Sequence, residues 1–170
     1  MNNAIVRPAG PRDVDFIIES IRALARYEKL EHEFEADADR MRTHLFGPRP
    51  YAEALIGELD GEPCGYALYF FSYSTFLSKP GIYLEDLFVA PDSRGKGLGH
   101  ALLARLAKVA VERDFGRLEW AVLDWNDPAI GFYRSLGAAP NDGWSVYRLT
   151  GEALRRLGFD GAAGGESGRG

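Results

Sequence analysis

Tyr83-Leu84-Glu85-Asp86-Leu87-Phe88-Val89-Ala90-Pro91-Asp92-Ser93-Arg94-Gly95-Lys96-Gly97-Leu98-Gly99 is the stretch on which the reading of this chain turns. It reads as a strand, a tight polar turn, then glycines running directly into a helix. Glycine lets the backbone take positive φ and come close to a ligand. The unpaired N–H groups of a helix's first turn, together with its dipole, form an anion site suited to a diphosphate. Arg94 and Lys96 add positive charge. Three readings compete. A Walker loop needs Gly-Lys-Ser/Thr, but Lys96 is followed by Gly97-Leu98. A dinucleotide fingerprint needs glycine at the third position after Gly97, where His100 stands. A glycine-rich turn that merely starts a helix is the plainer alternative.

Working outward, Ile82–Val89 is preceded by two further strand-like runs, Ala54–Leu59 and Cys64–Tyr73. Asp60-Gly61-Glu62-Pro63 between them is a hairpin signal. Ala4–Arg7 reads as an opening strand closed by Pro8. Pro11 to about Tyr27 has helical spacing, with Phe16, Ile17, Ile21, Leu24 and Ala25 as its apolar stripe. An acidic segment from Glu28 to Asp39 leads to a short helix at Arg40–Phe46, stopped by Gly47-Pro48. Beyond the glycines, Leu98–Asp114 is a helix with Leu102, Leu106 and Val109 down one side. Leu118–Leu123 is a strand, Asp127-Pro128 opens a helix that Gly137 closes, and Val146–Leu149 is a late strand. Thr150 is expected to cap a final turn. The expected fold is a mixed α/β domain with an antiparallel front half, spanning 1–157, with a disordered Gly- and Ala-rich tail over 158–170.

Composition bounds the function. At 170 residues the chain is the size of one ordinary domain, long enough to bury roughly 70% of its unfolded surface. With hydrophobic residues at 46% and charged ones at 26%, it is an ordinary globular mix. Apolar runs such as Tyr66–Phe71 are too short to cross a bilayer, and Met1-Asn2-Asn3 does not open a secretory signal. Cys64 is the sole cysteine, so a reducing cytoplasm is the default. The net charge of −5 argues against nucleic acid and mildly favours cationic small molecules.

The spacing Arg94-x-x-Gly97-x-Gly99 resembles the acetyl-CoA signature of the GCN5-related N-acetyltransferase superfamily. Trp125-Asn126-Asp127-Pro128-Ala129-Ile130-Gly131-Phe132-Tyr133-Arg134-Ser135-Leu136-Gly137 resembles that superfamily's second landmark, Asn-x-x-Ala/Ser-x-x-x-Tyr on a helix. One helix and one strand separate the two, as that fold requires. Arg7-Pro8-Ala9, Ala25-Arg26-Tyr27-Glu28, Tyr83–Val89 and Trp125-Asn126-x-Pro128 are similar to the diamine (spermidine/spermine) acetyltransferase branch. Its relatives also acetylate amines such as thialysine. The resemblance runs from about Ile5 to Leu157. It implies the superfamily's fold, a mixed and mostly antiparallel sheet flanked by helices, and a homodimer with active sites near the interface. It also implies acetyl-CoA held by Leu87, Phe88 and Val89 along the pantetheine arm, by Arg94, Gly95, Lys96, Gly97, Leu98, Gly99 and His100 at the diphosphate, and by Asn126, Asp127, Pro128, Ala129 and Tyr133.

The chemistry demands a neutral amine. A primary amine with pKa of about 10.4 is neutral in only roughly one molecule in 2,500 at pH 7, a cost of about 4.6 kcal/mol. Some group must accept that proton, and another should protonate the departing thiolate. Glu85, on the strand that meets the cofactor, is the candidate proton acceptor, and the resemblance implies a carboxylate contacting the amine there. Its plainer reading is an outward-facing strand residue. Tyr133 is the candidate acid, its alternative being a core aromatic, a role that Phe132 could fill. A backbone N–H near Leu87 or Phe88 is the expected donor to the acetyl oxygen. The resemblance places Tyr27 and Glu28 in an amine-binding segment and Asp142 at a second acidic position. The other acidic residues of 31–39 read as a solvated face. Cys64 reads as an inert core thiol rather than an acetyl carrier. Histidines 32, 44 and 100 lack metal-ligand spacing, so no metal is expected. The leading reading is direct acetyl transfer to a diamine, polyamine or lysine-like amine. A non-catalytic acyl-CoA-binding module and a protein N-terminal or lysine acetyltransferase are its rivals.

Overall fold

The structure is a computed structural model that describes residues 4–163, with side chains to residue 159. The chain forms two compact units, one ending at Asn126 and one beginning at Asp127.

The first unit runs β1 (Ala4–Pro8), a 3-10 turn at Pro11–Asp13, α1 (Val14–Glu28), α2 (Ala38–Phe46), β2 (Glu53–Leu59), β3 (Glu62–Ser74), β4 (Lys79–Val89), α3 (Leu98–Glu112) and β5 (Leu118–Trp120). The sheet order is β1-β2-β3-β4-β5, antiparallel except for the parallel pair β4/β5. A parallel pair needs a crossover, which α3 supplies. The β2–β3 turn is the two-residue Asp60-Gly61, both with positive φ (52° and 89°). That is the turn whose twist suits a hairpin.

Each sheet face is covered. On one, Ile17 of α1 and Leu45 of α2 pack on Ala54, Ile56, Tyr66 and Phe88. On the other lies α3, whose Leu98, Leu102 and Leu106 are fully buried. Leu98 sits so close to the sheet that a Cβ on Gly57 would lie 2.9 Å from it. Arg7 clamps the opening of the fold. Its guanidinium donates to both oxygens of Asp13 (2.7 and 2.8 Å) and to Glu58 (2.7 Å), tying β1 to β2 and to the start of α1. This fork and the Gly10 amide hold the Asp13 carboxyl below its usual range.

β4 changes phase midway. Tyr69 pairs with Leu84 but Leu68 pairs with Asp86, so Glu85 is an extra residue, a β-bulge. Register therefore puts Ile82 and Leu84 on the face of Tyr69 and Phe71, while Asp86 and Phe88 share the opposite face with Tyr66. The parallel ladder to β5 covers only Ile82–Leu84. The expected strand Leu118–Leu123 is accordingly shortened to Leu118–Trp120: past the bulge, β4 bends and twists away from its neighbour.

The second unit comprises α4 (Asp127–Ser135) and α5 (Gly151–Ala163). Gly137, at φ 87°, ends the helical segment as expected, and its N–H donates to the Arg134 carbonyl. One expectation fails here. Val146–Leu149 forms no strand. Val146 and Tyr147 are β-prone, but the segment makes no ladder among the described residues, and the two are 89% and 95% exposed. The turn expected after Thr150 opens a helix of 13 residues, Gly151–Ala163. The remainder of the expected tail, residues 164–170, lies outside the described residues.

Candidate active site

The end of α1 and the bulge of β4 face one another across a cleft. Lys29, at φ 61°, closes α1 with a left-handed cap. The chain then makes a 3-10 turn at Glu31–Glu33 before Asp37 caps α2 by accepting from the Arg40 amide. The cleft, open to solvent, has a volume of about 330 Å³. Its floor is apolar, with Ile21, Leu24 and Phe34, and its charged lining is Glu28, Glu33, Glu35, Glu85 and Asp86. No Lys, Arg or His shares that lining. Partial burial raises the Glu28 carboxyl above its ordinary range. Burial pushes Asp86 up to about 6, assisted by the charges of Glu85 and Glu28 and opposed by a hydrogen bond from the Tyr66 hydroxyl at 3.0 Å. Tyr66 is itself raised well above its ordinary value by burial and by Asp86.

The acidic run after α1 divides by partner. Glu31 pairs with Arg26 at 3.1 Å, Asp39 with Arg42 at 2.8 Å, and Asp37 is a helix cap. Glu33 and Glu35, which the sequence reading assigned to a solvated face, line the cleft despite their exposure. Asp86 was not singled out from sequence either. The signal was present: apolar residues fall at Ile82 and Leu84, then at Leu87 and Val89, a step of three where strict alternation requires two.

The glycine-rich loop sits at the other end of the β4 segment. Gly97, at φ 83°, is the N-cap of α3, and Gly95 has φ 73°. A Cβ on either would meet no protein atom within 4 Å, so backbone conformation and outward access require these glycines, not internal packing. The first intrahelical bond runs from Ala101 N–H to the Gly97 carbonyl at 2.9 Å. The amides of Leu98, Gly99 and His100 precede it, and no side chain caps them. Lys96 and His100 are exposed. Arg94 donates to the Val89 carbonyl at 3.1 Å and lies over the Tyr27 ring at 5.1 Å.

Tyr27 is placed differently from Glu28, its neighbour in the expected amine-binding segment. It does not line the cleft. Its hydroxyl donates to the buried Asn126 side chain at 3.1 Å and its ring packs on Trp125. It thus links the α1 end to both Arg94 and Asn126. Cys64 does not line the cleft, and its carbonyl accepts from Ala90 N–H at 2.8 Å. In the second unit, Asp127, Pro128 and Ala129 form the first turn of α4. Tyr133 is half-buried there, its ring centroid 5.5 Å from that of Phe132. Asp142 is exposed in the loop that follows. Among the described residues no group of three or more His, Cys, Asp or Glu could hold a metal ion, and no helix is long and apolar enough to cross a membrane.

The chain is 39% identical over 164 residues to a thialysine N-epsilon-acetyltransferase of Bos taurus, covering 90% of this chain and 96% of that protein. It is 32% identical to an L-ornithine N5-acetyltransferase of Arabidopsis thaliana, covering 89% and 86%. Among solved structures, a V. cholerae integron cassette protein shares the fold with a TM-score of 0.76 at 24% identity, covering 91% of this chain and 97% of that one. The sequence model described as the acetyltransferase (GNAT) family matches residues 16–138, across the boundary between the two units. With that match, and with relatives near 40% identical along nearly their whole length, the chain belongs to the GNAT family of acetyltransferases.

Proposed function

We propose that this enzyme transfers the acetyl group of acetyl-CoA to a primary amine of a small molecule bearing a second cationic group: a diamine, a polyamine or a lysine-like amine. One observation carries the reading. Five carboxylates and no basic side chain line the cleft between α1 and the β4 bulge. Such a lining attracts a dication by direct pairing and by its summed field. The thialysine and ornithine named for its relatives are amines of this kind.

In this reading the α3 amides after Gly97, with Arg94 and Lys96, hold the diphosphate. The pantetheine arm runs along Leu87–Val89, where β4 has no strand neighbour on its β5 side, and Asn126 to Ala129 add further contacts. A backbone N–H at Leu87 or Phe88 donates to the acetyl oxygen as charge develops there. Glu85, the bulged residue, contacts the ammonium together with Glu28. The amine's proton passes to the carboxylates at the bulge, directly or through water. The amine attacks the thioester carbonyl in a ternary complex, and Tyr133 protonates the departing sulfur. Tyr27 supports both sides through Arg94 and Asn126, and Asp142 supplies a further carboxylate for the distal cation. The exposed apolar side chains Trp144, Val146 and Tyr147 support a homodimer that covers them. The free thiol of Cys64 suits the cytoplasm.

The test is thiol release from acetyl-CoA with matched monoamines, diamines and lysine analogues. Diamines and lysine analogues are expected to be fastest. Release with no amine in the panel would favour a non-catalytic acyl-CoA-binding module.

A further inference from the structure

The sheet face that carries the acidic cleft continues past it. β3 runs without an extra residue, so Tyr66, Leu68 and Phe70 point to one side of the sheet. Their partners on β4 are Phe88, Asp86 and Tyr83 in turn. Cover thins along that row. Tyr66 is fully buried and Phe88 nearly so, packed with Ile17 and Leu45. Leu68 and Asp86 are half-buried, and Phe70 is 36% exposed. Phe70 is stacked on Tyr83, with ring centroids 5.1 Å apart and planes inclined by 29°. Two residues of antiparallel strand advance about 7 Å, so the stacked pair stands one step beyond Leu68 and Asp86 on the same face. Glu85, the bulged and exposed residue, comes between Tyr83 and Asp86 in the chain and lines the cleft. A lone exposed phenylalanine needs no explanation. A stacked aromatic pair bordering five carboxylates, in a lining without one basic side chain, offers a cation an apolar surface at its flank.

We propose that Phe70 and Tyr83 determine specificity by admitting a second class of acceptor, the 2-arylethylamines, whose ring rests on this pair while Glu85 holds the ammonium. This rests on the acetyl-transfer reading above and goes beyond it, because the acceptor needs no second cation. An arylethylamine matches both parts of the surface: its charge meets the carboxylates and its ring meets the pair. The two-carbon chain separates ammonium and ring by roughly one pair step along the strands. Aromatic rings prefer offset or edge-to-face contact, and the exposed side of Phe70 leaves either open to a third ring. An aliphatic diamine uses the carboxylates alone, and a plain alkylamine offers neither the second charge nor the ring. The transfer itself balances as for any primary amine. Nitrogen forms the C–N bond to the acetyl carbon, and the C–S bond breaks with its electrons going to sulfur. Of the two protons the ammonium loses, one ends on the CoA thiol and one goes to solvent.

The experiment compares kcat/KM for 2-phenylethylamine and 2-cyclohexylethylamine, by thiol release at saturating acetyl-CoA, in wild type, F70L and F70A. The two amines share chain length and ring size, and the saturated ring is at least as apolar, so burial alone does not favour the aryl amine. Ring stacking should make wild type prefer the aryl amine by about two- to tenfold. F70L keeps an apolar side chain of similar bulk, and in both variants the preference should vanish. Each preference is a ratio within one enzyme, so a partial loss of folded protein cancels from it. A linear diamine in the same assay tests the functional reading separately. Diamine turnover with no aryl preference in wild type overturns this proposal and leaves that reading standing. A preference that survives in F70L puts the ring elsewhere and overturns it as well. Were a second copy of the chain the occupant of the pair, wild type would show no preference and F70E would lower the mass measured by light scattering. A wild type that acetylates no amine overturns both readings together.

Discussion

The two halves of β4 do different work. From Lys79 to Leu84 it is an interior strand, with β3 on one side and, over Ile82–Leu84, β5 on the other. Ile82 and Leu84 there are almost wholly buried. From Glu85 to Val89 it pairs with β3 alone, and its side chains include an exposed and a half-buried carboxylate. The division falls at a single inserted residue. A strand paired on both sides satisfies its backbone within the sheet and leaves little for a ligand. A strand released on one side offers backbone groups at a place that its other neighbour still holds rigid. The first half is thus expected to govern stability and the second half chemistry.

The largest expected effect belongs to the first half. Leu84→Ala removes a side chain that is 2% exposed between two strands and should cost about 3 kcal/mol, lowering Tm by about 10 °C. Below that melting temperature kcat should stay near wild type. Thermal unfolding monitored beside steady-state kinetics checks both. A variant of normal Tm with collapsed kcat would break the division.

Next in size is the far end of the proposed transfer. Tyr133→Phe keeps the ring packed on Phe132 and removes only the hydroxyl group. kcat should fall by about two decades with acetyl-CoA affinity little changed. Rapid-quench measurement separates the chemical step from product release. A full-rate chemical step would leave Tyr133 a packing residue.

Reading the sequence succeeded where a local signal was enough and failed where a partner decided. Asp60-Gly61 set its own turn, and Gly95 and Gly97 took the positive φ expected of them, because these conformations belong to the residue type. The bulge depends on how β4 meets β3, which no window along the chain contains, although the step from Leu84 to Leu87 is its trace. Val146–Leu149 failed for the complementary reason. Its residues are β-prone, but a strand exists only through its ladder, and it makes none among the described residues. Glu33 and Glu35 are exposed, as a solvated face requires, and they also line the cleft: an acidic loop and an acidic wall have the same sequence. Only the fold over Glu85 tells them apart.

A smaller effect separates the halves by pH. Asp86 titrates at about 6 in the folded state against 3.8 for an ordinary aspartate. Between these values the native state binds more protons than the unfolded one, so this residue's contribution to stability falls as pH rises through that window. Asp86→Asn removes the penalty and can still accept from Tyr66. The variant should be more stable than wild type at pH 8 by about 2 kcal/mol, with the gap closing below pH 4. Asp13 behaves oppositely. Its lowered carboxyl stabilises above the usual carboxylate range and loses that contribution as pH falls below it. The difference between variant and wild type, read from urea unfolding at several pH values, isolates Asp86. A gap that stays constant with pH would mean the carboxylate is not desolvated by its place beyond the bulge.

The smallest effect tests whether the second half of β4 shares its charge with α1. Glu28 reaches the same cleft from the last turn of α1 and is only partly buried, so its pairing with a substrate cation is worth little more than a surface ion pair, roughly 0.5–1 kcal/mol. That corresponds to about a two- to fivefold change in kcat/KM. Four other carboxylates remain in the cleft lining when Glu28 is neutralised, which limits the loss further. Glu28→Gln should therefore narrow the preference for a diamine over a monoamine of equal length, and leave kcat nearly unchanged. Because the cleft is open to water, salt screens the same interaction. The wild-type preference should shrink at high ionic strength toward the value of the variant, while the variant itself responds less. Measuring kcat/KM for both amines at low and high salt in both proteins gives the coupling directly. Equal efficiency for the two amines in wild type at low salt would remove the acidic cleft as the source of selectivity. It would leave the division of β4 and the acetyl-transfer chemistry untouched, since neither depends on the distal cation.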